Sequence, residues 1–257
     1  MARMLSRRNM PAALQRIDRP QAIGLAAALA VAAAVGWFVG PVGLSVVVAI
    51  ELGLGGLGAV ALIGPARPGR GLARYTTLAM AGVAAALGGR LIPGGVSLLF
   101  VPLLGVLLWA VLWLELRGSF GPSERTALDL VLTAILFTAA AGIGGLFGSD
   151  AWPPPVAMVG AVGFLLALRA AEARQGGGVH AVGQALLHVL AVGQVAIAAL
   201  LLNLPGFVGP AVVALSFYVW GGAADALGTG SSPRAVAFEF GTLGILGLAV
   251  ALLMRQP

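Results

Sequence analysis

The sequence predicts an all-α protein, a polytopic bundle of about nine transmembrane helices. Two observations carry that expectation: its composition and the regular return of long apolar runs. Of the 257 residues 60% are apolar and 9% charged, and the mean hydropathy is +1.01. A water-facing surface needs roughly a quarter charged residues, so most of this chain's surface must face lipid or other helices. Spanning a bilayer core takes about 20 consecutive apolar residues in a helix. Runs of about that length occupy 22–39, 43–64, 73–89, 95–114, 126–147, 154–170, 179–202, 208–227 and 235–254. Gly, Pro or Arg bounds each of them. Nothing between them is long enough for a second core, which divides the chain into an Arg-rich tail (1–21), a membrane domain (22–254) and a short C-terminal tail (255–257).

The first run has an Arg-rich start and then small residues at Ala32, Ala33 and Ala34, as a signal peptide does. Its leader is long for that role, and Trp37 followed by Gly40-Pro41 reads as an outer turn, so the run counts as a retained span. The sixth run, 154–170, ends on Arg169, which is expected to snorkel towards the interface.

Orientation follows from the arginines. All fifteen basic residues are Arg. If nine spans alternate, Arg3, Arg7, Arg8, Arg16, Arg19, Arg67, Arg70, Arg74, Arg117, Arg125, Arg169, Arg174 and Arg234 share one side, leaving Arg90 and Arg255 on the other. Positively charged short loops stay in the cytoplasm. The chain is thus expected in the cell (inner) membrane, with its N-terminus cytoplasmic and its C-terminus exterior. The net charge of +6 is explained by this distribution and gives no reason to expect nucleic acid.

Four helical hairpins begin near 22, 74, 125 and 179, each with a Gly- and Pro-rich outer turn, and a ninth helix closes the chain. A fixed period in this range suggests tandem duplication, although any polytopic chain with short loops has a similar rhythm.

The absence of Lys excludes retinal and pyridoxal Schiff bases, which need its amine. The absence of Cys excludes thiolate metal sites, thiol nucleophiles and disulfides. No paired acidic motif, H-E-x-x-H or G-x-S-x-G with a His partner is found, so no catalytic residue, metal or cofactor is assigned.

The candidate ion or proton site is built on Glu51, about eight residues and so roughly 12 Å into the second span. Carboxylates at that depth are costly and usually face a bundle interior or a wet cavity. The seventh span adds His180, Gln184, His188, Gln194 and Asn203. Gln184 and His188, four apart, are neighbours on a helix, and Gln194 lies level with Glu51, which permits a hydrogen bond between them. Interhelical Gln and His also serve simply to hold bundles together. Arg125 and Asp129, again four apart, read as an intrahelical ion pair. Glu115, Glu172 and Asp225 read as solvated helix-end groups. Glu239 follows a Ser232-Pro233 helix start. Gly53, Gly55, Gly56 and Gly58, with Gly241, Gly244 and Gly247, suggest close helix packing. Trp37, Trp152, Trp109, Trp113 and Trp220 suggest interface anchors.

Three function classes follow. The first is a non-catalytic accessory or assembly subunit, joined to a membrane-protein partner or a second copy through Gly-rich faces. The second is a transporter of a small solute or ion using Glu51. The third is an intramembrane enzyme on a lipid-like substrate.

Overall fold

The structure, a computed structural model, describes residues 19–64, 71–117, 121–147 and 154–254. Among them are nine α-helices: α1 (Arg19–Phe38), α2 (Pro41–Ile63), α3 (Thr76–Gly88), α4 (Val101–Arg117), α5 (Pro122–Phe147), α6 (Pro154–Gln175), α7 (Val179–Leu201), α8 (Val208–Gly228) and α9 (Pro233–Leu253). No strand occurs among the described residues. Eight of the helices are long and apolar enough to cross a bilayer, so the chain is a multi-pass membrane protein. The tails expected at 1–18 and 255–257 lie outside the described residues.

The remaining helix, α3, has 13 residues and therefore rises only about 20 Å. It is extended by 3₁₀ turns at Ala73–Tyr75 and Gly89–Leu91. At about 2 Å per 3₁₀ residue, residues 73–91 reach about 30 Å, the thickness of the hydrocarbon core. Its sequence TTLAMAGVAAALG is almost all small or apolar, and every residue from Thr77 to Leu87 except Ala85 is buried. A helix that is apolar all round belongs inside a bundle. Here α3 is enclosed by α1, α2, α4 and α5. Small residues bring its neighbours in: a methyl added at Gly55 would come within 2.5 Å of the Ala79 Cα, and one at Gly142 within 2.5 Å of the Leu87 carbonyl carbon. Gly58 packs on Leu25 and Gly247 on Leu215, whereas a methyl at Gly53, Gly56, Gly241 or Gly244 would meet no described residue within 4 Å. The glycines of α2 do not unwind it.

The helices alternate, and side-chain contacts fix which ends lie together. Arg169–Glu115 joins the C-terminal ends of α6 and α4, and Arg174 joins the same end of α6 to the start of α5 through Asp129 and the end of α8 through Asp225. Glu172 accepts from the Ala73 N–H where the chain approaches α3, and the Tyr75 hydroxyl donates to the Gly64 carbonyl at the exit of α2. This is the arginine-rich end. At the opposite end Arg90 donates to the Gly36 and Val39 carbonyls, both at 2.7 Å, and so satisfies the last turn of α1. Trp37, expected as a lipid-interface anchor, instead turns inward and donates to the Ala85 carbonyl at 2.9 Å.

The four-hairpin rhythm survives as alternation but not as repeated packing. The first outer connection is two residues long, whereas the second contains the 3₁₀ segment Gly94–Phe100. In addition, α3 packs mainly on α2 and α5 rather than on its hairpin partner α4. The turn at 148–153 lies outside the described residues. Among the described residues helix α9 packs mainly on α8, at the edge of the bundle. Ser232 caps its start, accepting from the Ala235 N–H.

Candidate functional site

The expected residues do not converge on one site. Glu51 lies between α1, α2 and α3, and is completely buried. Its carboxylate fills the space above Gly82, where any side chain on α3 would overlap Oε2. One turn away Val47 packs with Ala33 and Ala86, so the surroundings are small and apolar. The Ala33 backbone faces the carboxylate from α1. Even so, neither oxygen has a hydrogen-bond partner among the described residues. That is unusual, because buried polar groups in native proteins are nearly always paired.

His188 lies elsewhere, on the α7–α8 interface. It is 5% exposed. Its ring stacks on Phe217 with centroids 4.3 Å apart, and Nε2 donates to the Phe217 carbonyl at 3.0 Å. Gly221 makes room for both His188 and Arg174: a methyl there would stand 3.5 Å from the imidazole and 3.3 Å from the guanidinium.

Gln184 and Gln194 are both exposed. The buried stripe of α7 is Ala181, Ala185, His188, Val192, Ala196 and Ala199, which leaves the two amides facing outward. Gln194 therefore makes no hydrogen bond to Glu51. Sharing a helix face did not carry Gln184 inside with His188, because the alanines define the packed stripe.

The ionisable groups read as solvated are mostly internal. Arg169 does not snorkel: it is 5% exposed and holds the 1% exposed Glu115 with two parallel hydrogen bonds, Nε to Oε1 at 2.8 Å and Nη2 to Oε2 at 2.7 Å. Asp129 pairs across helices with Arg174 at 2.8 Å rather than with Arg125 on its own helix, and the Arg125 Nε is buried without a partner among the described residues. Asp225 approaches Arg174 more loosely, at 3.5 Å. Glu172 displaces any side chain from position 71 and accepts from Ala73 at 2.9 Å. The last turns of α6, Arg169 to Arg174, thus hold α4, α5, α8 and the approach to α3. Depth gives the signal that finds the central pair in the sequence: Glu115 and Arg169 lie near the same membrane level with opposite charge, so they can meet across helices.

A cavity of about 300 Å³ opens at the end opposite the arginines, between the ends of α5 to α8. Ala140, Gly144, Ala196 and Ala199 leave the space, and among the described residues Asn203 supplies its single polar side chain. Among the described residues no group of three His, Cys, Asp or Glu side chains is placed to hold a metal. No family model matches this chain, and no curated protein or solved structure shows significant similarity to it.

Proposed function

We propose that this multi-pass membrane protein is non-catalytic and works as a structural or assembly subunit, oriented with its arginine-rich end in the cytoplasm. The observation that carries this reading is the use made of its charges. Glu115, Arg169, Glu172, Arg174, Asp129 and Asp225 connect helices to one another, and among the described residues Asn203 is the one polar side chain that lines the cavity described above. A path for a polar solute needs a lining of donors and acceptors, and a hydrolytic or transfer site needs a paired acid and base. The orientation rests on the positive-inside rule. Reconstitution tests the role: purified protein in liposomes should pass protons and monovalent cations no faster than empty liposomes do, and a saturable flux would end the structural reading.

One observation favours a second reading, a proton- or cation-coupled transporter. Glu51 is a buried carboxylate without a hydrogen-bond partner among the described residues, and intramembrane carboxylates commonly mark coupling sites. On that reading Glu51→Gln should stay folded and lose pH-dependent uptake.

A further inference from the structure

Helix α7 has two faces, and the buried stripe accounts for only one. On the other face lie His180, Gly183, Leu187, Leu190, Gln194, Ile197 and Leu201, spaced alternately three and four apart. That is the a/d spacing of a two-helix coiled-coil seam, sustained over residues 180–201, about 30 Å of helix. All seven residues are turned away from the bundle: Leu187 is 61% exposed, Leu190 62% and Leu201 81%, and His180, Gly183, Gln194 and Ile197 are also exposed.

Gln194 separates this seam from an ordinary lipid-facing surface. It lies seven residues before the end of α7, hence about 10 Å inside that end. Its carboxamide has no partner among the described residues. Hydrocarbon offers an amide neither donor nor acceptor, and Gln in such a position promotes helix association. Lipid can cover leucine but leaves Gln194 unsatisfied.

We infer that α7 pairs along this seam with α7 of a second copy of the chain, forming a parallel two-fold dimer centred on Gln194. The chemistry selects a second copy. A carboxamide carries both donor and acceptor, so two of them can exchange hydrogen bonds, and a two-fold interface brings each residue on its axis against itself. Two copies inserted with the same topology place Gln194 at the same depth automatically. The polar a-position at Gln194, well inside the helix, then fixes the register, as a buried polar a-residue does in soluble coiled coils. Gly183, with no neighbour within 4 Å of where its Cβ would be, leaves room for close approach near the arginine-rich end. The dimer does not depend on whether the protein transports a solute.

The absence of Cys makes the test direct. Leu190→Cys and Ile197→Cys lie on the seam, and Ile245→Cys, equally apolar and 71% exposed on α9, lies away from it. Oxidation in native membranes should yield a disulfide-linked dimer for both seam variants and little for Ile245→Cys. Gln194→Leu keeps an apolar seam on an already exposed position, so folding is retained. In lipid-dilution energy-transfer measurements it should weaken dimerisation by about threefold to thirtyfold, the worth of one intramembrane hydrogen bond. Equal cross-linking at Ile245→Cys, wild-type dimerisation by Gln194→Leu, or an adduct to a different protein at Leu190→Cys would each overturn the inference.

Discussion

The Glu51 carboxylate occupies the volume that a side chain at position 82 would need. An acid on α2 and the absence of a side chain on α3 are therefore one structural feature, and each constrains what the other position tolerates. Neither carboxylate oxygen has a hydrogen-bond partner among the described residues.

Two substitutions should consequently act in opposite directions. Gly82→Ala pushes a methyl into Oε2 and must displace either the carboxylate or α3. Overpacking of this kind costs about 1–3 kcal/mol. Glu51→Leu removes two unpaired oxygens and leaves no orphaned partner, because Gln194 points away. Leaving a buried polar group unsatisfied costs about 1–3 kcal/mol, so Glu51→Leu should melt at or above the wild-type temperature in detergent. A clear loss of stability would mean that the carboxylate has a bonding partner.

The Arg169–Glu115 pair predicts strong non-additivity. Removing one member strands a charge between α4 and α6, which costs about 3–5 kcal/mol for a buried pair. Glu115→Leu and Arg169→Met should each lower thermal stability severely, and the double variant should recover most of it. A double variant as unstable as the sum of the singles would show that the two side chains contribute independently, with no coupling between them.

Much of this architecture is legible in the sequence because lipid leaves few choices. Apolar runs of spanning length locate all nine helices, and the spacing of Arg gives their alternation. Even the short helix α3 is marked by its run at 73–89. Polar contacts were harder to place, because they join residues far apart in the chain. Arg125 and Asp129 suggest a pair by their four-residue spacing, yet Asp129 reaches Arg174, 45 residues away. Periodicity shows which residues share a face of α7, but not which face packs. Small residues turned out to mark it: the alanine stripe faces inward, and Gln184 and Gln194 face out.

Topology is the next expectation. Ser119 and Gly176 follow the ends of α4 and α6, where the arginines gather, and Ser149 follows α5 at the opposite end. Reporter fusions after Ser119 and Gly176 should report cytoplasm, and a fusion after Ser149 the exterior. Uniform inversion of all three signals would refute the positive-inside assignment while preserving the helix alternation.

Arg90 provides the last prediction, because it is the one arginine at the opposite end among the described residues. Its charge should therefore have a local structural reason, and the geometry supplies one. The last carbonyls of a helix have no intrahelical donor, and Nη1 reaches both the Gly36 and Val39 carbonyls at 2.7 Å. The cation also complements the negative end of the α1 dipole. Arg90 sits on the 3₁₀ turn that extends α3, so these bonds fix the α1–α2 turn onto the central helix, and Trp37 adds a second tie through Ala85. Hydrogen bonds to a charged group are worth about 1.5–3 kcal/mol each, and the site is only partly buried, so the lower part of that range applies. Arg90→Met, which keeps the apolar stem, should destabilise the protein by about 2–3 kcal/mol. It should also raise hydrogen exchange at the end of α1 without altering exchange at the Arg169–Glu115 end. Arg90→Lys keeps the charge but not the reach of the guanidinium, and should recover less than half of the loss. Full recovery by Lys would make the charge, rather than the paired hydrogen bonds, the reason for this arginine.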